Sequence, residues 1–491
     1  MRLPLLPFLS MASRSAAPAL LLALAMLATV PARADDTPPG RIGRLADLSG
    51  SVRHFGASGW EPVLRNEPLS TGDRVATDHD ARAVVQVGST TVRLGPDSEI
   101  VVARLDDVSV RLRLDHGELT LRLRRPEVAG EFSIETADGF LVPKEPAFVH
   151  VSIESGHTFA ASWQGGARFE GRDSTQMDLK AGQRAEYWRG AKDAAQFALR
   201  PMPTGKFAVQ AVKDDAAEAR STAGESHLPL EMTGGAELNA LGHWQRSAIG
   251  WLWTPPATAG WAPFHDGRWT WAPPWGWTWV DDAHWGFAPS HYGRWTHQDG
   301  KWAWAPGPLP AARPTYLPAT VAWLGGAAFK LPAAGGLTEP AIGWLAAGPN
   351  EPVFGAAGVT TTYWRLINPA VMYPYPRPAA GGQRLVPGGA MAFANGGAKG
   401  GAMFMAADRP VAREQVVAMK GSGATALAAA VAEGKAEWRA PPPAPPGRGE
   451  IDASLPEVSV DGAAASRRLA PGPSAIIAPP APLPMASAPK R

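Results

Sequence analysis

The side chains in this sequence best placed to do chemistry are indoles and guanidiniums. Thirteen of the twenty tryptophans fall between Trp244 and Trp304. Within that stretch Trp269, Trp271, Trp275, Trp277, Trp279 and Trp295, with Arg268 and Arg294 beside them, form a candidate binding set. Side chains two apart on a strand share a face, so Trp269 and Trp271 point together, as do Trp275, Trp277 and Trp279. Gly276 and Thr278 are small and leave the opposite face nearly bare. Exposed indoles stack on sugar rings, quaternary amines or proline-rich peptides, and the arginines add cation–π contacts. The competing use is structural. Short hairpins bury little, indoles cover a large area, and repeats can stack on one another as a core. On the sequence, both uses stay open.

Catalysis and metal binding find less support. Five of eleven histidines lie between His243 and His297, but none are spaced as metal ligands on one element. Asp281 and Asp282 are adjacent, so on a strand they face opposite ways and cannot act as a carboxylate pair. Asp266 and Asp299 occupy turn positions where Asp is ordinary. The chain has no cysteine, no Gly-x-Ser-x-Gly elbow and no phosphate loop. The expectation is no enzyme activity, no metal and no cofactor.

The elements that position the indoles repeat. Residues 260–270 (Gly-Trp-Ala-Pro-Phe-His-Asp-Gly-Arg-Trp-Thr) recur at 286–296 with eight of eleven identities and an offset of 26. A period in this range marks a repeated supersecondary unit. His265-Asp266-Gly267 and Gln298-Asp299-Gly300 have turn chemistry, so the units read as β-hairpins, with Pro273-Pro274 separating two strands. His265 and His291 occupy equivalent positions, which implies a shared task such as bonding a turn backbone.

At 491 residues, with 53 glycines and 49 prolines, the chain has room for two or three domains of short strands and turns. Arg2 and Arg14 precede an apolar run from Ala16 to Val30, and Ala32-Arg33-Ala34 fits a signal-peptide cleavage site. Residues 1–34 are therefore expected to be a signal peptide, placing the chain in the periplasm or outside a bacterial cell. Loss of Arg2, Arg14 and Arg33 takes the formal charge from +2 to −1, which argues against nucleic acid as a partner. No later stretch is apolar enough for a transmembrane segment.

From 41 to 190 the pattern has period two. Val108, Val110, Leu112 and Leu114 alternate with polar residues, as do Leu119, Leu121 and Leu123, with arginines expected on the wet face. This region resembles the FecR domain, a periplasmic β module. The resemblance lies in residues 43–52 (Gly-Arg-Leu-Ala-Asp-Leu-Ser-Gly-Ser-Val), 69–77 (Leu-Ser-Thr-Gly-Asp-Arg-Val-Ala-Thr) and 87–98 (Val-Gly-Ser-Thr-Thr-Val-Arg-Leu-Gly-Pro-Asp-Ser). It implies a β-sandwich or β-roll, and an extracytoplasmic binding module in place of the sigma-regulating role of members with a cytoplasmic segment. Residues 191–240 read as a connector with a short helix over Phe207–Arg220. Residues 241–310 are the Trp-rich hairpins, and 311–375 extend them with strands at Val321–Leu324 and Ile342–Leu345. The block with Pro274-Trp275-Gly276-Trp277-Thr278-Trp279 resembles a Trp- and Pro-rich family of unknown function that follows FecR-like domains in proteobacterial envelope proteins. Residues 376–440 are rich in Gly and Ala, with a weak helix expected over Ala424–Trp438. In 441–491, 13 of 51 residues are proline, and a disordered tail is expected.

The fold class expected is thus mainly β, and the function expected is non-enzymatic binding or scaffolding in the cell envelope. The alternatives are a signal sensor partnering a membrane protein, and a glycan- or peptidoglycan-binding module using exposed tryptophans.

Overall fold

Alternating apolar residues draw the strands between Gly43 and Arg200 into two packed sheets. The computed structural model describes residues 37–349, apart from 57–58, 191–192, 223–226, 258–260, 299–300, 308–312, 326–329 and 333–337. It also describes residues 353, 363, 366–367, 403–406 and 437–438. The expected signal peptide, the turn at Asp299-Gly300, most of 376–440 and the tail 441–491 lie outside the described residues.

The fold is mainly β. The first sheet runs Ala195–Arg200, Gln183–Arg189, His157–Gln164, Ala147–Glu154, Glu118–Leu123, Thr90–Leu94, Arg82–Val87, Gly43–Ser49, Pro68–Leu69 in order of pairing. The second runs Gln176–Leu179, Ala167–Gly171, Gly139–Pro143, Phe132–Glu135, Val110–His116, Ser98–Leu105, Arg74–Thr77, Val52–Gly56, Gly59–Pro62. Hairpins alternate between the sheets, and the inward residues of both, among them Leu112, Leu119, Leu121, Ile134 and Val149, make one core. Val108 departs from the expected alternation and is 72% exposed. Its amide and that of Ser109 bond the Asp106 carboxylate in a turn, and the strand starts only at Val110.

The expected boundary at residue 190 falls inside the sheet, because Ala195–Arg200 pairs with Gln183–Arg189. The helix α1 (Lys206–Ser221) follows and lies on the outer face of the first sheet. There it corrects the expectation of a wet arginine row. Asp215 sits 2.9 Å from Arg124 and 3.3 Å from Arg122, and Glu218 pairs with Arg93 and Arg124. These arginines are covered because α1 brings the carboxylates they need; Arg113 remains at the surface, paired with Asp115.

Three hairpins form the next module: His243–Ser247 with Gly250–Thr254, Gly267–Ala272 with Gly276–Asp281, and Arg294–Gln298 with Lys301–Ala305. The first and third join through Trp253 opposite Trp304. Val321–Gly325 and Thr338–Ala346 pair antiparallel, as expected of the extension. Glu437–Trp438, the described end of the helix expected over Ala424–Trp438, is a strand paired with Val321–Gly325 instead, and residues 424–436 lie outside the described residues. No helix among the described residues is long and apolar enough to cross a membrane.

Candidate functional site

The cross-strand register of the second hairpin sets Trp269 opposite Trp279 and Trp271 opposite Trp277. Opposed residues share a face, so a shared indole face exists as the spacing implied. It faces inward. Trp269 packs edge-on against Trp279 at 5.4 Å, and Trp323 and Trp344 of the extension strands cover it at 4.6 and 5.4 Å. Around them gather Trp253, Trp285, Trp295, Trp304, Phe264 and Phe287 in one core that also takes in Ile42 and Tyr316.

The residues expected as a ligand platform therefore occupy other roles. Trp269, Trp275, Trp277, Trp279 and Trp295 are all buried, while Trp271 is half-buried at the rim. Trp275 does not stand in line with Trp277 and Trp279. It sits in the turn before Gly276, whose φ is +89°, and its indole N–H donates to the Pro39 carbonyl at 3.0 Å. Trp279 donates to Asp281 Oδ2, Trp295 to the Pro289 carbonyl, Trp304 to the Tyr292 carbonyl and Trp344 to the Phe264 carbonyl. Six-residue hairpins bury too little alone, and indoles whose N–H finds an acceptor supply the missing apolar area. Arg268 pairs with Glu67 at 2.6 Å, and Arg294 donates to the Gly293 and Ile367 carbonyls.

Sequence reasoning missed the seam between sandwich and hairpins. Arg44 is fully buried. It bonds Gln86 and Asn66, pairs with Glu237 at 2.7 Å and lies 5.4 Å from the Phe287 ring. Asn66 donates to the Asp281 and Ala283 carbonyls at 3.0 and 2.7 Å. Gly88 and Ser89, the turn after Arg82–Val87, bond Thr233 and Glu231. On the sandwich's second sheet side, Arg313 reaches Glu131 at 2.9 Å. An arginine in an alternating strand reads as solvent-facing, and only the covering segment nearly two hundred residues later makes Arg44 internal.

The equivalence expected of His265 and His291 fails. His291 is buried and donates to the Leu317 carbonyl at 2.7 Å, and burial pushes its pKa down to about 3. His265 meets the Asp266 carboxylate instead. The second copy winds into a short helix at Phe287–His291 where the first has turns, so the same residues meet different surroundings. Asp281, the last residue of its strand, is buried, and Asp282, in the bend that follows, is exposed. Burial pushes Asp281 up to about 7, against the lowering effect of bonds from Trp279 and the Ala283 amide. Among the described residues, no group of three or more His, Cys, Asp or Glu side chains is placed to hold a metal.

Among the described residues, aromatic rings face solvent at two candidate sites. On the sandwich, a cavity of about 360 Å³ is bounded by Arg53, Trp60, Asp78, His79, Asp97 and His116. Its charges pair internally, Arg53 with Asp78 at 2.8 Å and His79 with Asp97 at 2.7 Å, and both Arg53 and Arg74 lie over Trp60. On the first hairpin, Trp251 is 36% exposed and stacks with His227 at 4.0 Å, with Ile249 and Leu230 exposed nearby in the chain.

Residues 235–351 match the model of DUF6600, a family of unknown function. No match is found among curated proteins. Two crystal structures of a candidate anti-sigma factor from Parabacteroides distasonis ATCC 8503, at 2.50 and 1.65 Å, are similar at 12% identity, with TM-scores of 0.23 and 0.22. The alignment covers 26% of this chain and 60% of theirs, and a likeness at that TM-score carries no functional argument. The family match begins at residue 235 and does not reach the sandwich.

Proposed function

We propose that this chain is an exported, non-enzymatic binding or scaffold protein of the bacterial cell envelope, in which a FecR-like sandwich and an aromatic module act as one body. The observation that carries the reading is the seam. Arg44, Asn66 and Glu67 of the sandwich are buried against Glu237, Asp281, Ala283 and Arg268 of the hairpin module. Buried charges persist where they are paired and hydrogen-bonded, and such a joint suits a rigid presenter of surfaces. The indoles that could have served chemistry are used in the core.

Fractionation of cells producing the tagged full chain tests export: the shortened chain should appear in the periplasmic or extracellular fraction. A photo-crosslinking residue at Trp251 in those cells tests binding. Capture of one envelope protein supports the reading, and of a membrane receptor its sensing form. Retention of the chain in the cytoplasm overturns it.

The exposed Trp251 favours a second reading, glycan attachment, now moved off the buried rings. Saturable binding of soluble peptidoglycan fragments that Trp251→Ala abolishes, with an unchanged melting temperature, is its test.

A further inference from the structure

Among the described residues, the end strand Ala195–Arg200 pairs on one side only. Its register sets Phe197 opposite Tyr187 and Leu199 opposite Ala185. Opposed residues share a face, and Tyr187 and Ala185 belong to the sandwich core. Phe197 and Leu199 thus continue the core-facing surface, yet they are 51% and 57% exposed. The backbone of this edge is open as well. The Gly190 amide donates to the Ala194 carbonyl, whereas the Ala195 amide is capped by Asp173. Alternation along an antiparallel ladder then turns the N–H and C=O of Phe197 and Leu199 outward. The other sandwich edges, Pro68–Leu69, Gly59–Pro62 and Gln176–Leu179, have two, four and four residues; this one has six. Within it stands neither the lysine nor the proline that usually guards an edge.

We propose that this edge pairs with the same edge of a second copy, antiparallel about a twofold axis through Phe197. The inference does not rest on the functional reading above. An axis normal to the sheet keeps both core-facing surfaces on one side, so the two Phe197 rings meet and each Leu199 lies over the counterpart's Ala195. The charges are complementary: Arg200, paired with Glu186 in its own chain, comes beside the counterpart of Asp193, which is paired with Arg189 and 69% exposed in its side chain. The contact is isologous. One pair of six-residue strands is a small contact beside a standard interface of roughly 1,600 Å², and a weak dimer with Kd on the order of 10 μM is the expectation tested.

The absence of cysteine allows a direct test on the full chain. The Phe197 pair is a hydrogen-bonded one with Cα atoms about 5.5 Å apart, within disulfide range. Phe197→Cys should oxidise to a covalent dimer, and Val108→Cys, on a turn elsewhere and more exposed, should not. Wild type should sediment as a monomer–dimer mixture at about 10 μM, and Leu199→Lys should shift it to monomer without lowering the melting temperature. The proposal is overturned if wild type stays monomeric at about tenfold higher concentration and Phe197→Cys crosslinks no more than Val108→Cys. A monomeric Phe197→Cys whose thiol resists alkylation overturns it too, and assigns the edge to another segment of the same chain.

Discussion

The Asn66 side-chain amide donates at 3.0 Å to the main-chain carbonyl of Asp281, 215 residues further along the chain. It also bonds Ala283, and it holds a positive φ of 67°. Asn66→Ala removes both donors and adds the strain of a Cβ-bearing residue without the side-chain compensation Asn enjoys there. We expect a loss of about 2–3 kcal/mol. Asn66→Gly removes the bonds but accepts the backbone, so it should cost measurably less. Urea unfolding of the three proteins checks the order; equal losses would mean the conformation contributes nothing.

Trp269 and Trp251 separate the two uses of indoles. Trp269→Ala opens the centre of the aromatic core and should cost about 3–5 kcal/mol. Trp251→Ala should cost under about 1 kcal/mol, because its ring is already at the surface. Thermal melts decide, and similar melting temperatures for the two variants would contradict the burial described.

Asp281 and His291 make opposed contributions to pH dependence. With its pKa raised from 3.8 to about 7, Asp281 holds a proton in the fold that the unfolded chain releases, so its share of stability falls as pH rises between those values. His291, lowered from 6.5 to about 3, stays neutral in the fold while the unfolded chain takes up a proton, so its share falls as pH drops through that range. From pH 4 to 6.5 the slopes cancel. Asp281→Asn should therefore gain stability relative to wild type with rising pH, by up to about 1.4 kcal/mol per unit, and His291→Gln should lose it. Denaturant titrations at three pH values within the window test both; parallel curves would refute the assignment.

Helix α1 is held to the sheet chiefly by charge. Burial works against ionised Glu218, yet Arg93 and Arg124 outweigh it and keep its pKa below the usual value. A lowered carboxylate contributes stability above its unfolded pKa and loses it as pH falls through the folded one. Asp215→Asn with Glu218→Gln should raise amide exchange across Lys206–Ser221 at least tenfold, about 1.4 kcal/mol, and leave the strand Glu118–Leu123 protected. Unchanged exchange in the helix would show that Phe207 and its apolar neighbours suffice.

Much of this was legible from the sequence where side-chain parity alone decides. Leu119, Leu121 and Leu123 all point inward. Parity gives the face of a residue but not its depth. Trp251 and Trp253 share a face, yet one is 36% exposed and the other fully buried, because only the second lies opposite Trp304. Nothing local distinguishes Arg44 from a solvated arginine, since its partners come from Asn66, Gln86 and Glu237. The indole platform failed for the same reason: the strands that cover it begin at Val321, some fifty residues after Trp269.

Trp275 donates to the carbonyl of Pro39, and Ile42 lies in the same core as Trp269. The span shared with DUF6600, 235–351, is therefore not a transplantable cassette. A recombination event that moved it alone would leave behind Ile42, which lies in its core, the Pro39 carbonyl that Trp275 bonds, and the Asn66 and Glu67 contacts that anchor its second hairpin. Inheritance should keep the two together, and a host that receives only the hairpins must already offer a surface shaped to receive them.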